Sequence, residues 1–270
     1  MGWKANLLSL AGRTMLIQAF TSTISAYVMQ CMALPKKLLD DIDRVNHNFL
    51  WRSSESSKRT HWVGWHKVTK AKEKAGLGIQ SARGRNQALL AKLNWRFWME
   101  NDALWEKELR SKYCTSRRLH ARNKDKLPCS RVWQVIQKGS EVFNKGIWWI
   151  LGRNSNLSLW YDNWIAKAPL RTLIQGPFSE EEERFQVKDV FGPHGWDWSK
   201  ISIQVPNNIL MEINTMPYSL KTSLEEDKLI WNGDTRGDFE LKSAYTIAIR
   251  CSEEEEEFMG PWDWKVDTLP

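Results

Sequence analysis

Lys74-Ala75-Gly76-Leu77-Gly78-Ile79-Gln80-Ser81-Ala82-Arg83-Gly84-Arg85-Asn86-Gln87-Ala88-Leu89-Leu90-Ala91-Lys92-Leu93-Asn94-Trp95-Arg96-Phe97-Trp98 is the stretch around which the chain is organised. A glycine-punctuated basic turn (Gly76, Gly78 and Gly84, with Lys74, Arg83 and Arg85) leads into an apolar helix. Asn86 reads as its N-cap. Leu89, Leu90, Leu93 and Phe97 recur at helical spacing. Glycine permits close backbone approach and positive φ. The cations beside these glycines suit phosphate contact better than a catalytic step. The stretch therefore reads as a scaffold for a polyanion.

Toward the N-terminus, residues 9–33 read as a helix capped by Ser9. Leu16, Phe20, Ile24 and Val28 are spaced by four, and Ile17, Tyr27 and Cys31 widen the stripe. Pro35 ends this helix and opens the next, whose apolar face is Leu38, Ile42, Val45 and Phe49. Together they predict an αα-hairpin. Residues 52–72 then interleave cations with aromatics: Arg52, Lys58, Arg59, His61, Trp62, Trp65, His66 and Lys67. Single-stranded nucleic acid needs that mixture, cations for phosphates and flat rings for bases. The alternative is a surface loop whose tryptophans pack on the helices. His61 and His66 stand five apart with no cysteine near, so neither reads as a metal ligand.

Toward the C-terminus, Asn101 caps a short helix holding Leu104, Trp105 and Leu109. Lys112 to Lys126 is strongly basic, with Arg117, Arg118 and Arg122, and reads as a solvated linker or a phosphate-contacting strand. Ser130 caps a further helix. Ile147–Leu151 and Leu157–Tyr161 read as two strands of a β-hairpin. Asp162 reads as holding the turn after it. Glu180–Glu183 and Glu253–Glu257 read as solvated charge runs. A helix is expected near Asn207–Met216. Asp227–Trp231 and Gly237–Tyr245 suggest a hairpin followed by a helix.

The chain has 270 residues and a net charge of +7, which conceals a division. Residues 1–150 hold 27 Lys+Arg against 11 Asp+Glu, a balance of +16. Residues 151–270 hold 12 against 21, a balance of −9. A polyanion partner is expected for the first half only; a merely solvated basic surface is the alternative. Seventeen tryptophans read mostly as core or interface anchors, because each buries a large area and leaves one N–H to satisfy. Cys31, Cys114, Cys129 and Cys251 form no Cys-x-x-Cys pair, so zinc is unsupported and reduced, buried thiols are expected. No apolar run approaches the roughly 18–20 residues of a membrane span. The acid-free first 39 residues read as a core helix rather than a targeting peptide, so the expected compartment is nuclear or cytoplasmic, not secreted.

These blocks resemble, in order, the region downstream of the polymerase palm in plant non-LTR (LINE-type) retrotransposon reverse transcriptases. Leu8-Ser9-Leu10-Ala11-Gly12-Arg13-Thr14-Met15-Leu16-Ile17 is similar to that family's Leu-Ser-x-Ala-Gly-Arg-x-x-Leu-Ile. Gly76-Leu77-Gly78-Ile79, then Asn86-Gln87-Ala88-Leu89-Leu90-Ala91-Lys92 and Trp95-Arg96, follow its next block. Trp160-Tyr161-Asp162-Asn163-Trp164 and Gly237-Asp238-Phe239-Glu240-Leu241-Lys242-Ser243-Ala244-Tyr245 follow later ones. Pro261–Lys265 looks like the opening of the family's zinc-binding module. The sequence departs at Ala71 and Ala75, where the family carries Pro and Gly, which is expected to loosen the turn.

The resemblance implies thumb-like helices and a linker that stops at the start of that module. The family's aromatic-Ala-Asp-Asp metal-binding turn is absent; Asp40-Asp41 lies within the helix after Pro35. No P-loop, dinucleotide fingerprint or nucleophile elbow appears.

The expected fold is mainly α in the N-terminal half, a helical hairpin plus packed helices. The C-terminal half is expected to be α+β or irregular, with short β-hairpins. The expected segments are a basic thumb-like region at 1–127, a helix plus β-hairpin at 128–175, and an acidic linker region at 176–270. The expected function is that of a non-catalytic fragment of a LINE-type reverse transcriptase, without cofactor, metal or small-molecule substrate. Its partners would be RNA or DNA and the parent's upstream polymerase domain, with no membrane. Weak, sequence-independent binding is assigned to Arg52, Lys58, Arg59, Trp62, Trp65, Lys67, Lys74, Arg83, Arg85, Arg117, Arg118 and Arg122. The alternative is a domesticated nucleic-acid-binding or protein-interaction module with no role in retrotransposition.

Overall fold

The computed structural model describes residues 8–53, 59–100, 102–114, 130–152, 155–165, 168–174, 176–177, 179–192, 195–215 and 226–258. They belong to two compact units. The first comprises Met1–Arg96, Ser130–Val142 and Leu241–Pro270; the second comprises Phe97–Cys129 and Phe143–Glu240. The first is helical among its described residues, while the second mixes helices with short antiparallel strand pairs.

The first unit opens with α1 (Leu10–Leu16), a π-helical turn (Ile17–Thr21) and α2 (Ser22–Met29). Ser9 caps α1 by accepting the Gly12 N–H at 3.2 Å. The expected apolar stripe faces the core only at its start, at Leu16 and Ile17. Phe20, Ile24 and Val28 are exposed, and the buried positions are Arg13, Ile17, Ser22, Ala26 and Met29. The π turn is the reason: it adds a residue to one helical turn, so the inward face steps from Ile17 to Ser22. α3 (Lys36–Leu50) follows and buries Leu39, Asn46 and Leu50, while Leu38 and Val45 are exposed. Ile42 and Phe49, at the edge of that face, still pack on apolar clusters.

A short helix, α4 (Trp65–Val68), and a 3-10 turn (Lys72–Lys74) lead to α5 (Ala82–Met99). Ala82, Ala88, Leu89, Leu90, Ala91 and Asn94 are all buried; a helix buried on most of its circumference is a central element. Asn86 is not its N-cap. Ser81 Oγ accepts the Gly84 N–H at 3.2 Å, so the helix starts a turn earlier. Asn86 is buried, its Oδ1 accepting the Leu34 N–H at 3.0 Å and its Nδ2 donating to Met29 O and Met32 O. It satisfies the frayed end of α2 instead.

α7 (Arg131–Gly146) passes close over α5, because a Cβ on Gly139 would lie 2.6 Å from the Leu90 carbonyl. Ser130 Oγ accepts the Trp133 N–H at 3.3 Å, the expected cap. α12 (Leu241–Phe258) completes this unit. Its Tyr245 and Ile249 fill the space that a side chain at Gly84 would need, and Tyr245 Oη accepts the Ser81 N–H at 2.9 Å.

In the second unit, β1 (Ile147–Ile150) does not pair with 157–161. It runs antiparallel to β4 (Lys228–Trp231), with Ile147 opposite Trp231 and Ile150 opposite Lys228. Gly146 is required beside this pair, since a Cβ there would lie 2.2 Å from the Trp231 ring. Residues 157–161 form a turn instead. Asp162 Oδ2 accepts the Ser158 N–H at 2.7 Å, holding that turn as expected. Trp160 and Trp164 are buried, and their indole N–H groups donate to Glu182 O at 2.6 Å and Leu159 O at 2.9 Å. Trp164, Trp196 and Trp198 stack in succession at 5.1 and 5.0 Å. A short hairpin, β2 (Phe191–Gly192) with β3 (Gly195–Trp196), and α11 (Asn207–Thr215) close around this tryptophan core.

Two helices of this unit qualify the sequence reading. α6 (Leu104–Tyr113) forms around Trp105 and Leu109 as expected, while Asn101 lies outside the described residues. α9 (Glu180–Glu183) is not wholly a solvated charge run, because Glu182 is buried.

Candidate nucleic-acid interface

The basic loop after α3 is set by how that helix ends. The Arg52 N–H donates to Phe49 O at 3.3 Å and the Ser53 N–H to Asn48 O at 2.9 Å, a Schellman pattern. It needs a left-handed residue at position 52, where glycine is the usual occupant, and Arg52 takes it with φ 58°. Ser53 Oγ then accepts the Arg59 N–H at 3.1 Å and lies 3.0 Å from His61 Nε2. The His61 ring stands 4.2 Å from that of His47, whose pKa burial lowers.

The glycine turn is held from two sides. Gln18, in the π turn, donates to Leu77 O and Gly78 O at 3.3 and 3.2 Å. Gly76 lies against Lys70, whose carbonyl oxygen would stand 1.9 Å from an added Cβ, and Gly78 has φ 67°. Ala75 sits at φ 59° without a glycine's freedom, a local strain, while the turn itself keeps its backbone bonds from Gly76 to Ala71 O and from Gly78 to Lys70 O. Asp43 Oδ1 accepts the Ala82 N–H at 2.9 Å at the start of α5. Burial nonetheless outweighs that bond and raises the Asp43 pKa to about 6.

The candidate residues of this unit separate by environment. Arg59, Trp62, Lys67 and Lys74 are exposed, Trp62 at 81%. Trp65 is half-buried and packs with Ile17, Leu50, Val68 and Ile79. Arg83 and Arg85 are half-buried at the start of α5, where desolvation lowers the Arg85 pKa. Lys58, Arg117, Arg118 and Arg122 lie outside the described residues.

Sequence reasoning missed Arg13. It is 6% exposed, and burial together with the charges of Arg52 and Arg59 lowers its pKa. No sequence signal singled it out, since its burial and its missing acceptors appear only in the structure. Among the described residues, no three His, Cys, Asp or Glu side chains gather as a metal site, and no helix is long and apolar enough to cross a membrane.

No family description and no solved structure matches the chain. It is 33% identical over 249 residues to the "Putative ribonuclease H protein At1g65750" of Arabidopsis thaliana. That match covers 91% of this chain and 40% of the relative, so the chain spans about two fifths of that protein's length. It is also 32% identical over 143 residues to the "Uncharacterized mitochondrial protein AtMg00310" of the same plant, covering 53% of this chain and 92% of the relative. The chain belongs to the family of that mitochondrial protein, and the two relatives together mark it as a plant retroelement-related protein.

Proposed function

We propose that the chain is a non-catalytic, retroelement-derived nucleic-acid-binding module, equivalent to the region after the palm of a LINE-type reverse transcriptase. The observation that carries the reading is the set of cations in the first unit. Arg59, Lys67 and Lys74 are exposed there, with Trp62 available for stacking. Backbone phosphates supply the counter-charge such a surface lacks, and stacking on Trp62 is indifferent to base identity. Binding is therefore sequence-independent. Ribonuclease H activity, which the first relative's name carries, is not assigned to this chain.

A salt series tests the proposal. The full chain is titrated with single-stranded RNA and with a duplex. The expected result is a linear log–log dependence with a slope of several units, about −0.7 per phosphate on single strands and −0.9 on duplex DNA. Absence of binding at low salt to either probe would sink it.

A second reading, a protein-interaction module, is favoured by one observation. Phe20, Ile24 and Tyr27, at helical spacing, are 58%, 73% and 83% exposed on the first helical hairpin, and exposed apolar side chains grouped on one face mark interaction surfaces.

A further inference from the structure

Arg13 feels the charges of Arg52 and Arg59 at the N-terminal helical hairpin, and among the described residues no carboxylate acts on it. The Nε and Nη1 groups of Arg13 are buried and have no hydrogen-bond partner among the described residues. The charges that act on Arg13 there are those of Arg52 and Arg59, both positive. Arg52 Nη2 donates to Leu8 O at 2.8 Å, while its Nε is also buried without a partner. A desolvated guanidinium with only like charges beside it is costly unless something supplies the missing charge and acceptors. Arg52 carries a second cost, because it holds a left-handed conformation that glycine adopts freely. Both features point the same way: the chain carries arginine where burial and backbone geometry each disfavour it.

We propose that Arg13, Arg52 and Arg59 form a pocket for one backbone phosphate of a nucleic acid. The proposal rests on the nucleic-acid-binding reading and names its anchoring site. A guanidinium presents its N–H groups as a planar fork that matches two oxygens of a tetrahedral oxyanion. The phosphate meets the exposed Arg59 and supplies the negative charge that offsets the mutual repulsion of the three cations. Arg59, exposed on the loop that Ser53 holds, is the solvent-facing member.

The test uses the full chain and a single-stranded RNA oligonucleotide over a salt series. Arg52→Gly removes one guanidinium and places in the left-handed position the residue that prefers it, so the variant folds. Arg13→Met keeps the buried volume and removes the other. Each variant is expected to bind RNA about tenfold more weakly, with a salt slope shallower by about one unit. Wild-type affinity and slope in both variants would overturn the pocket and leave the broader reading standing. Failure of the wild-type chain to bind RNA would overturn both. If inorganic phosphate then raised the melting temperature of the wild type but not of Arg52→Gly, the pocket would belong to a free anion instead.

Glu55 lies outside the described residues and is the carboxylate closest in sequence to Arg52. Glu55→Gln is expected to leave the melting temperature unchanged and to tighten RNA binding. A large fall in melting temperature for both Glu55→Gln and Arg13→Met would identify an internal ion pair and overturn the proposal.

Discussion

The two units treat buried charge differently. In the second unit, the Glu182 carboxylate is 8% exposed and fully engaged. It accepts the Ser202 N–H at 2.6 Å, the Ser202 hydroxyl at 2.8 Å and the Ser179 N–H at 3.2 Å, and the Ser202 bonds above all hold its pKa below the usual range. Glu106, 1% exposed in the same unit, receives Arg110, whose guanidinium also lies 5.2 Å from the Phe97 and Trp98 ring centres and donates to Phe97 O. In the first unit, Arg13 is as buried as Glu182, and its Nε and Nη1 have no acceptor among the described residues. A charge that serves the fold arrives with its partners. A buried charge without partners calls for an explanation, and the phosphate pocket proposed above is the one tested below.

Substitutions can break or sharpen that contrast. The largest effect is expected for Glu182→Ala, which strands the Ser202 and Ser179 N–H groups and removes a capping box. Thermal unfolding should show the greatest loss of melting temperature in the set. The depressed pKa fixes the sign of its pH dependence. The stabilisation is present above the unfolded value near 4.5 and is lost as pH falls through the folded one. A variant that melts like the wild type would show that Glu182 is a spectator.

Asp43 behaves oppositely, because its pKa is raised to about 6. Its contribution is full below the unfolded value and is lost as pH rises through 6. Asp43→Asn should therefore stabilise the chain at pH 7 by up to about 2–3 kcal/mol and remove a negative slope of stability between pH 4 and 6. Denaturant unfolding of both proteins across that range checks it; parallel curves would contradict it.

A smaller gain, about 1 kcal/mol, is expected for Ala75→Gly, which relieves a left-handed alanine beside the glycine turn. Arg52→Gly should gain a similar amount by the same relief. Chemical denaturation measures both, and a loss of stability in Ala75→Gly would show that the turn does not depend on that conformation.

Much of the fold was legible where information is local. The caps at Ser9 and Ser130, the helices around Leu89 and Trp105, and the turn held by Asp162 follow from short-range chemistry. What escaped was non-local or phase-dependent. β1 pairs with a strand about eighty residues later, and no pattern in Ile147–Ile150 encodes that partner. A π turn between α1 and α2 shifted the inward face, so from Phe20 onward the stripe that periodicity assigned to the core faces solvent. Asn86 resembled a cap because asparagine suits caps, but here it closes the end of a different helix.

The candidate surface was legible as cations interleaved with aromatics. Arg13 was not, because an arginine on a buried helical face looks like an ordinary exception until its missing acceptors can be counted.

The most direct test of the contrast between the units is the unfolding free energy of the full-length Arg13→Met chain without ligand, set beside its affinity for single-stranded RNA. An unsatisfied cation waiting for a phosphate predicts a variant at least as stable as the wild type that binds RNA more weakly. A variant that is markedly less stable and binds RNA equally well would mean that Arg13 serves the fold, and would contradict the account.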